Sequence, residues 1–220
     1  MKKSFSIYGI AYLVLITYVF WLLYVYPKLE LHLLLNSWHT DMQDIFFKYY
    51  STLAEWPLYI LALVPILLKR KKITLFFFMC ELSAGALLQL LKHMICTERP
   101  ISAFEHSGHM VLPLVQGVSM HHSNSFPSGH ASTFFVFYTC CALLLACHYQ
   151  KAENHNHRTW LIINLTMLLL LVQATLGAYS RIYLSQHFLS DVCMGSIIGF
   201  STPCVIFYLY GNKILKHNVN

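Results

Sequence analysis

Three polar clusters interrupt an otherwise apolar chain: KHMICTERP at 92–100, SFPSGHAS at 125–132 and SRIYLSQHFLSD at 180–191. They bring Lys92, Arg99, Ser128, Gly129, His130, Arg181, His187 and Asp191. Fixed cations, two imidazoles, a carboxylate and a glycine-containing turn suit one task, the holding and attack of a phosphate group. Arg99 and Arg181 can each offer a planar fork to phosphate oxygens, and Lys92 a point charge. Pro127-Ser128-Gly129-His130 precedes a long apolar run. It therefore reads as a helix start, whose unpaired N–H groups and positive dipole end favour an anion. Gly129 would let that backbone approach without a Cβ in the way. His187 and Asp191 are four residues apart and share a helical face if the helix begins early enough. The carboxylate could then hold one ring nitrogen and aim the other.

The spacing Lys92-x6-Arg99-Pro100, then Pro127-Ser128-Gly129-His130, then Ser180-Arg181-x5-His187-x3-Asp191 resembles the type 2 phosphatidic acid phosphatase superfamily at every defining position. The resemblance implies that His187 attacks and becomes phosphorylated, that His130 protonates the leaving oxygen and then activates water, and that Asp191 orients His187. It implies that Lys92, Arg99, Ser128, Gly129 and Arg181 bind the phosphoryl oxygens. No metal and no cofactor are implied.

These clusters need a scaffold that gathers them. The chain has 220 residues, 57% hydrophobic and only 11% charged, against about 25% charged in soluble domains. The apolar residues fall in runs long enough to cross a bilayer. Six spans are expected, at 5–26, 52–68, 73–95, 129–149, 159–179 and 190–211, the second being short and carrying Pro57 and Pro65. The first resembles a signal peptide at its start, but its apolar stretch is long and no small-residue cleavage site follows, so it reads as a retained span. Nothing suggests a second domain, and residues 1–220 are expected to form a single all-α membrane bundle.

With the N-terminus inside, ten of the fifteen basic residues fall on inner segments, as the loop-charge rule requires. The net charge of +6 is then a matter of topology, not of nucleic-acid binding. All three clusters reach one face, the extracytoplasmic one. Residues 26–50 between the first two spans have helical apolar spacing and Trp38, and read as an amphipathic helix at the membrane interface. The 101–126 connection is long and contains His106, His109, His121 and His122. Their spacing fits no standard metal site, and the loop is better placed to cover a headgroup. Pro100 is expected to help end the helix carrying Lys92. If that helix continued, Lys92 and Arg99 would point the same way about 10 Å apart. Glu81 lies inside the third span, about 16 Å of helix below Lys92, too deep for the phosphate.

The expected function is hydrolysis of a lipid phosphate ester in a bacterial inner membrane, on the periplasmic face, with lipid A-type substrates favoured. Undecaprenyl diphosphate and phosphatidylglycerol phosphate are the rival substrates. Transfer of the phosphoryl group to a lipid acceptor is a second enzymatic reading. A transporter holding an anion in the cationic pocket is the reading from another class.

Overall fold

The computed structural model describes residues 4–55, 59–61, 64, 70–108, 111–151 and 156–215. Eight helices are described: α1 (Ser4–Val25), α2 (Lys28–Leu35), α3 (Asp41–Thr52), α4 (Lys71–Met94), α5 (Pro100–Ser107), α6 (Gly129–Lys151), α7 (His157–Tyr183) and α8 (Leu189–Leu215), with no strand among the described residues. Five of them, α1, α4, α6, α7 and α8, are long and apolar enough to cross a membrane. The 22 residues of α1 make about 33 Å of helix, enough for a hydrocarbon core of about 30 Å. The expected span at 52–68 lies largely outside the described residues, so the count of six rests on the sequence.

α6 is the hub. It packs chiefly on α7 and α8, then on α4, while α1 leans on α7. α6 is also the most enclosed of the five long helices and α1 the least. Ile10, Leu13, Val14, Tyr18 and Trp21 point outward from α1, an apolar surface that water would not tolerate and that a bilayer covers. Two apolar clusters flank α6. One joins Phe76, Phe77, Cys80, Ala84 and Leu88 of α4 to Val136, Cys140 and Leu143 of α6 and Phe207 of α8. The other joins Tyr8 and Tyr12 of α1 to Ala131, Phe135 and Ala142 of α6 and Met167 and Ala174 of α7.

Close approach of α6 to its neighbours depends on missing side chains. A Cβ on Gly195 would stand 2.4 Å from the Ser128 carbonyl oxygen, and one on Gly199 2.4 Å from that of Ser132. A Cβ on Gly177 would run into the Phe134 ring at 2.4 Å. Gly195 and Gly199 are four apart on α8, the small-residue spacing that lets membrane helices meet backbone to backbone. This contact locks the start of α6 against the start of α8.

Residues 26–50 form two helices where the sequence suggested one. Pro27 precedes α2. The Thr40 hydroxyl caps α3 by accepting from the Gln43 amide at 3.2 Å, a local start signal that splits the segment. α3 packs on α7, burying Phe47 while leaving Met42, Ile45, Phe46 and Tyr49 exposed. The 101–126 connection is also less irregular than expected. Pro100 does not merely end the preceding helix; it opens α5, where its missing N–H costs nothing.

Candidate active site

All three polar clusters meet at one end of the bundle. α4 stops at Met94, and residues 95–99 run extended before α5. The alignment of Lys92 and Arg99 that a continuing helix would give is therefore not seen: the helix ends, as the sequence suggested, and the chain leaves helical geometry five residues before Pro100. The extended stretch is clipped to the second cluster: Ser125 N–H donates to Thr97 O at 3.1 Å, Phe126 N–H to Thr97 Oγ1 at 2.9 Å, and Arg99 N–H to His122 O at 3.1 Å. Ser128 N–H in turn donates to Asp191 O at 3.0 Å, joining the second cluster to the third. Backbone hydrogen bonds thus fix the register of all three.

α6 begins at Gly129, as the sequence suggested. Ser128 is buried, and its hydroxyl lies 3.5 Å from the Ala131 N–H as a loose cap. A Cβ on Gly129 would meet nothing within 4 Å, so the backbone there faces open space. That space is a cavity of about 380 Å³ lined by Lys92, Gly129, His130 and Thr133 together with Glu55, Glu81, Gly85, Leu88 and Gln89, within the range of small-ligand sites.

Arg99 and Arg181 are buried. Arg99 donates from Nε to Ser123 O at 2.9 Å and from Nη1 to Gln186 O and Oε1 at 3.1 and 3.2 Å. Gln186 is itself held by Nε2 donating to Ser119 O at 3.1 Å. Arg181 keeps a buried Nε without a partner among the described residues, while its carbonyl accepts from the N–H groups of Gln186 and His187. Lys92 Nζ donates to Asn124 O at 3.4 Å and lies within electrostatic range of both arginines. Three cations held this close repel one another, and a bound dianion would relieve the repulsion. Burial, opposed by the field of Asp191, already holds the Arg99 guanidinium below its ordinary pKa.

His187 does not sit on α8. It lies in the turn before Leu189, whereas Asp191 occupies the first turn of α8. Both are buried. His187 Nδ1 is 3.8 Å from Asp191 Oδ2. Ser125 stands beside them: its hydroxyl donates to Oδ2 at 2.5 Å and lies 3.4 Å from Nδ1. Oδ2 also accepts from Phe188 N–H at 3.0 Å, and Oδ1 from Ser190 Oγ at 3.1 Å. With Nδ1 turned to the carboxylate, Nε2 is the nitrogen left to face a substrate. Burial pushes the His187 pKa down to about 4; the bond to Asp191 opposes this, and the fields of Arg181 and Arg99 reinforce it. The imidazole is therefore neutral at physiological pH. His130, at the cavity wall, lies in the fields of Arg181, His187, Arg99 and Lys92.

Every residue expected from the sequence thus lies at one end of the bundle, and four more support them. Ser125 and Gln186 sit within the motifs at positions whose type carries no obvious chemistry. His32 lies on α2 and Asn36 caps its C-terminal end: Asn36 Nδ2 donates to Ser185 Oγ at 2.6 Å, and His32 Nε2 lies 3.4 Å from the same oxygen. Only the fold reveals that α2 braces the His187 turn. Ser180 makes a local bond to Gly177 O at 2.6 Å. His106 is near Glu98, and His122 near Ser102 and Glu105; His109 lies outside the described residues.

The pattern of the PAP2 superfamily matches residues 73–215, which include all three clusters. The chain belongs to the PAP2 superfamily. Its similarity to individual PAP2 proteins is more distant. It is 33% identical over 87 residues to phosphatidylglycerophosphatase B of Bacillus subtilis strain 168, covering 40% of this chain and 37% of that protein. The alignment therefore spans little more than a third of this curated relative. Among crystal structures, the PAP2-type phosphatidylglycerolphosphate phosphatase of Bacillus subtilis superposes with a TM-score of 0.63 at 19% identity, over 99% of this chain and 100% of that one. Aquifex aeolicus LpxE superposes with a TM-score of 0.61 at 22% identity, over 84% and 97%. The PAP2 chain thus shares a multi-pass membrane fold with both.

Proposed function

We propose that the chain is a metal-independent membrane lipid phosphatase working through a phosphohistidine. The observation that carries this reading is the convergence of Lys92, Arg99 and Arg181 with His130 and the His187–Asp191 pair at one end of the bundle, beside a cavity. An anion carrier would need the cations but not a neutral imidazole aimed by a carboxylate.

In the first step His187 Nε2 attacks phosphorus. The N–P bond forms, the P–O ester bond breaks, and His130 gives its proton to the leaving lipid oxygen. In the second step water attacks phosphorus while His130 takes its proton. The N–P bond breaks, inorganic phosphate leaves, and both imidazoles return to their starting states. Asp191 holds Nδ1–H and stabilises the charge that develops on the ring. Lys92, Arg99, Ser128, Arg181 and the backbone at Gly129 hold the phosphoryl oxygens, supplying the electrostatic stabilisation that phosphoryl transfer demands.

The substrate is an envelope lipid phosphate whose chains stay in the bilayer. We assign the cluster face to the periplasmic side of a bacterial inner membrane on the loop-charge pattern, with α2 and α3 at the interface. A lipid A-type phosphate is favoured because the long, histidine-bearing 101–126 connection can accommodate a sugar headgroup. Phosphatidylglycerol phosphate is the second reading, supported by the end-to-end superposition on the Bacillus phosphatase. Purified protein in detergent with EDTA should release inorganic phosphate from one of these lipids, and His187→Ala should not. Retention of labelled phosphate on a lipid acceptor would instead establish phosphotransfer. Intact lipids throughout, with anion binding retained, would favour the carrier.

A further inference from the structure

The cavity beside His130 does not end at the phosphate position. It runs along α4 from Lys92 past Gln89, Leu88 and Gly85 to Glu81. A second cavity of about 160 Å³, lined mostly by apolar atoms of Leu53, Ala54, Tyr59, Phe134, Phe137 and Tyr138, shares Ala54 and Thr133 with the first. The two meet at a polar waist. There Thr133 Oγ1 donates to Glu81 Oε1 at 2.5 Å. Glu81 Oε2 and the Tyr59 hydroxyl are buried with no hydrogen-bond partner among the described residues. Buried polar atoms are rarely left this way, and a pair of them at the junction of two cavities points to a functional role. Thr133 is three residues beyond His130 on α6, so the waist lies about 4.5 Å along the helix from the proposed proton donor.

We propose that this waist recognises the hydrogen-bonding linkage of the substrate lipid, an ester, amide or hydroxyl group on the carbon next to the one that carries the phosphate. Glu81 Oε2 makes the bond, Thr133 fixes its carboxyl, and the Tyr59 side of the second cavity takes the start of an alkyl chain. This rests on the lipid phosphatase reading and sharpens it. With Oε1 accepting from Thr133, the neutral carboxyl offers an Oε2–H that donates to an ester, amide or hydroxyl oxygen, a bond that a polyprenyl phosphate, with only hydrocarbon beyond its phosphate, cannot answer. The site therefore selects acylated lipid phosphates over polyprenyl phosphates, and Glu81 is its specificity-determining residue.

The test compares phosphatidic acid with farnesyl monophosphate, both phosphate monoesters. Equilibrium binding is measured in a His187→Ala background, so that neither lipid is consumed, and phosphate release with His187 intact. Glu81→Leu is expected to weaken phosphatidic acid binding and raise its KM about tenfold or more, the loss expected for one buried hydrogen bond. Farnesyl phosphate should bind as before or more tightly. Glu81→Gln, which keeps an oxygen and an N–H after an amide flip, should restore phosphatidic acid binding to within about threefold. Thr133→Val should reproduce the Leu effect in part and covers the case in which Glu81→Leu folds poorly. Equal losses on both lipids, or none on either, would overturn the proposal. Selective binding without release of phosphate from either lipid would uphold the waist and overturn the phosphatase reading instead.

Discussion

Ser125 donates its hydroxyl hydrogen to Asp191 Oδ2 at 2.5 Å. This one bond ties the loop before α6 to the carboxylate that aims His187, and it links the second cluster to the third through side chains. It also places a third oxygen beside His187 Nδ1, which Asp191 alone approaches only to 3.8 Å. Catalytic hydrogen bonds in ligand-free enzymes are often this long and tighten on binding. In the proposed reaction Ser125 is thus a positioning residue: it fixes the carboxylate while the imidazole closes on it.

Removing that hydroxyl should slow the chemistry more than it weakens binding. Ser125→Ala is expected to lower kcat about 10- to 100-fold, the range for one bond to a charged group, with KM nearly unchanged. Steady-state kinetics on a phosphorylated lipid decide it. An unaltered kcat would show that Asp191 needs no such support.

The pH profile follows from the two histidines. His187 must be neutral to attack, and burial lowers its pKa to about 4. The rate should therefore rise with pH through about 4, and a bound phosphate dianion beside His130 should let that ring hold the proton it must donate until it is lost at higher pH, which gives a bell. Asp191→Asn removes the group that opposes the downward shift. Its acid limb should move to lower pH while kcat falls, by up to about 10⁴-fold on the precedent of orienting carboxylates in acyl-transfer triads. An acid limb that stays in place in Asp191→Asn, or a flat profile from pH 4 to 9, would count against these roles.

The same burial makes the fold acid-sensitive. His32 is also buried and held neutral, its pKa down to about 4 through desolvation, partly opposed by Asp191 and reinforced by Lys28. An unfolded chain binds protons on both rings near the ordinary value of about 6.5, before the folded chain does. Stability should therefore be complete above that value and fall as pH drops towards 4. Thermal unfolding across this window should show the decline, and His32→Phe should make it shallower, leaving the part due to His187. A melting temperature independent of pH between 4 and 7 would contradict the assignment.

Two glycines should fail differently. Gly129→Ala places a methyl in open space, so stability should change little while phosphate affinity drops about tenfold or more, as expected when backbone N–H groups lose their approach to an anion. Gly195→Ala drives a methyl into the Ser128 carbonyl. It should cost about 1–3 kcal/mol of stability through overpacking and reduce activity by shifting the start of α6. Thermal melts beside phosphate competition separate the two effects; similar behaviour of both variants would contradict the assigned geometry.

Much of the site was legible because its residues carry their chemistry in their type and spacing. Apolar runs marked α1, α4, α6, α7 and α8 to within a few residues, since each must cross a bilayer unaided by water. The supports were not legible. Ser125, Gln186 and Asn36 are ordinary polar residues whose partners lie far away in the chain, and nothing local distinguishes them. The break after Met94 matches the end of the third apolar run, but the pairing of 97–99 with 122–126 is a tertiary contact that nothing local announces. Glu81 was read by its depth along one helix, but the crossing of α4 and α6 brings it within a turn of His130.

The most direct measurement is to capture the intermediate. A lipid carrying a ³²P-labelled phosphate is mixed with the purified protein, quenched in alkali within one turnover, and the label located by peptide mapping. The account predicts an acid-labile, base-stable phosphoryl group on His187, absent from His187→Ala. Label on another residue, or full turnover by His187→Ala, would contradict it.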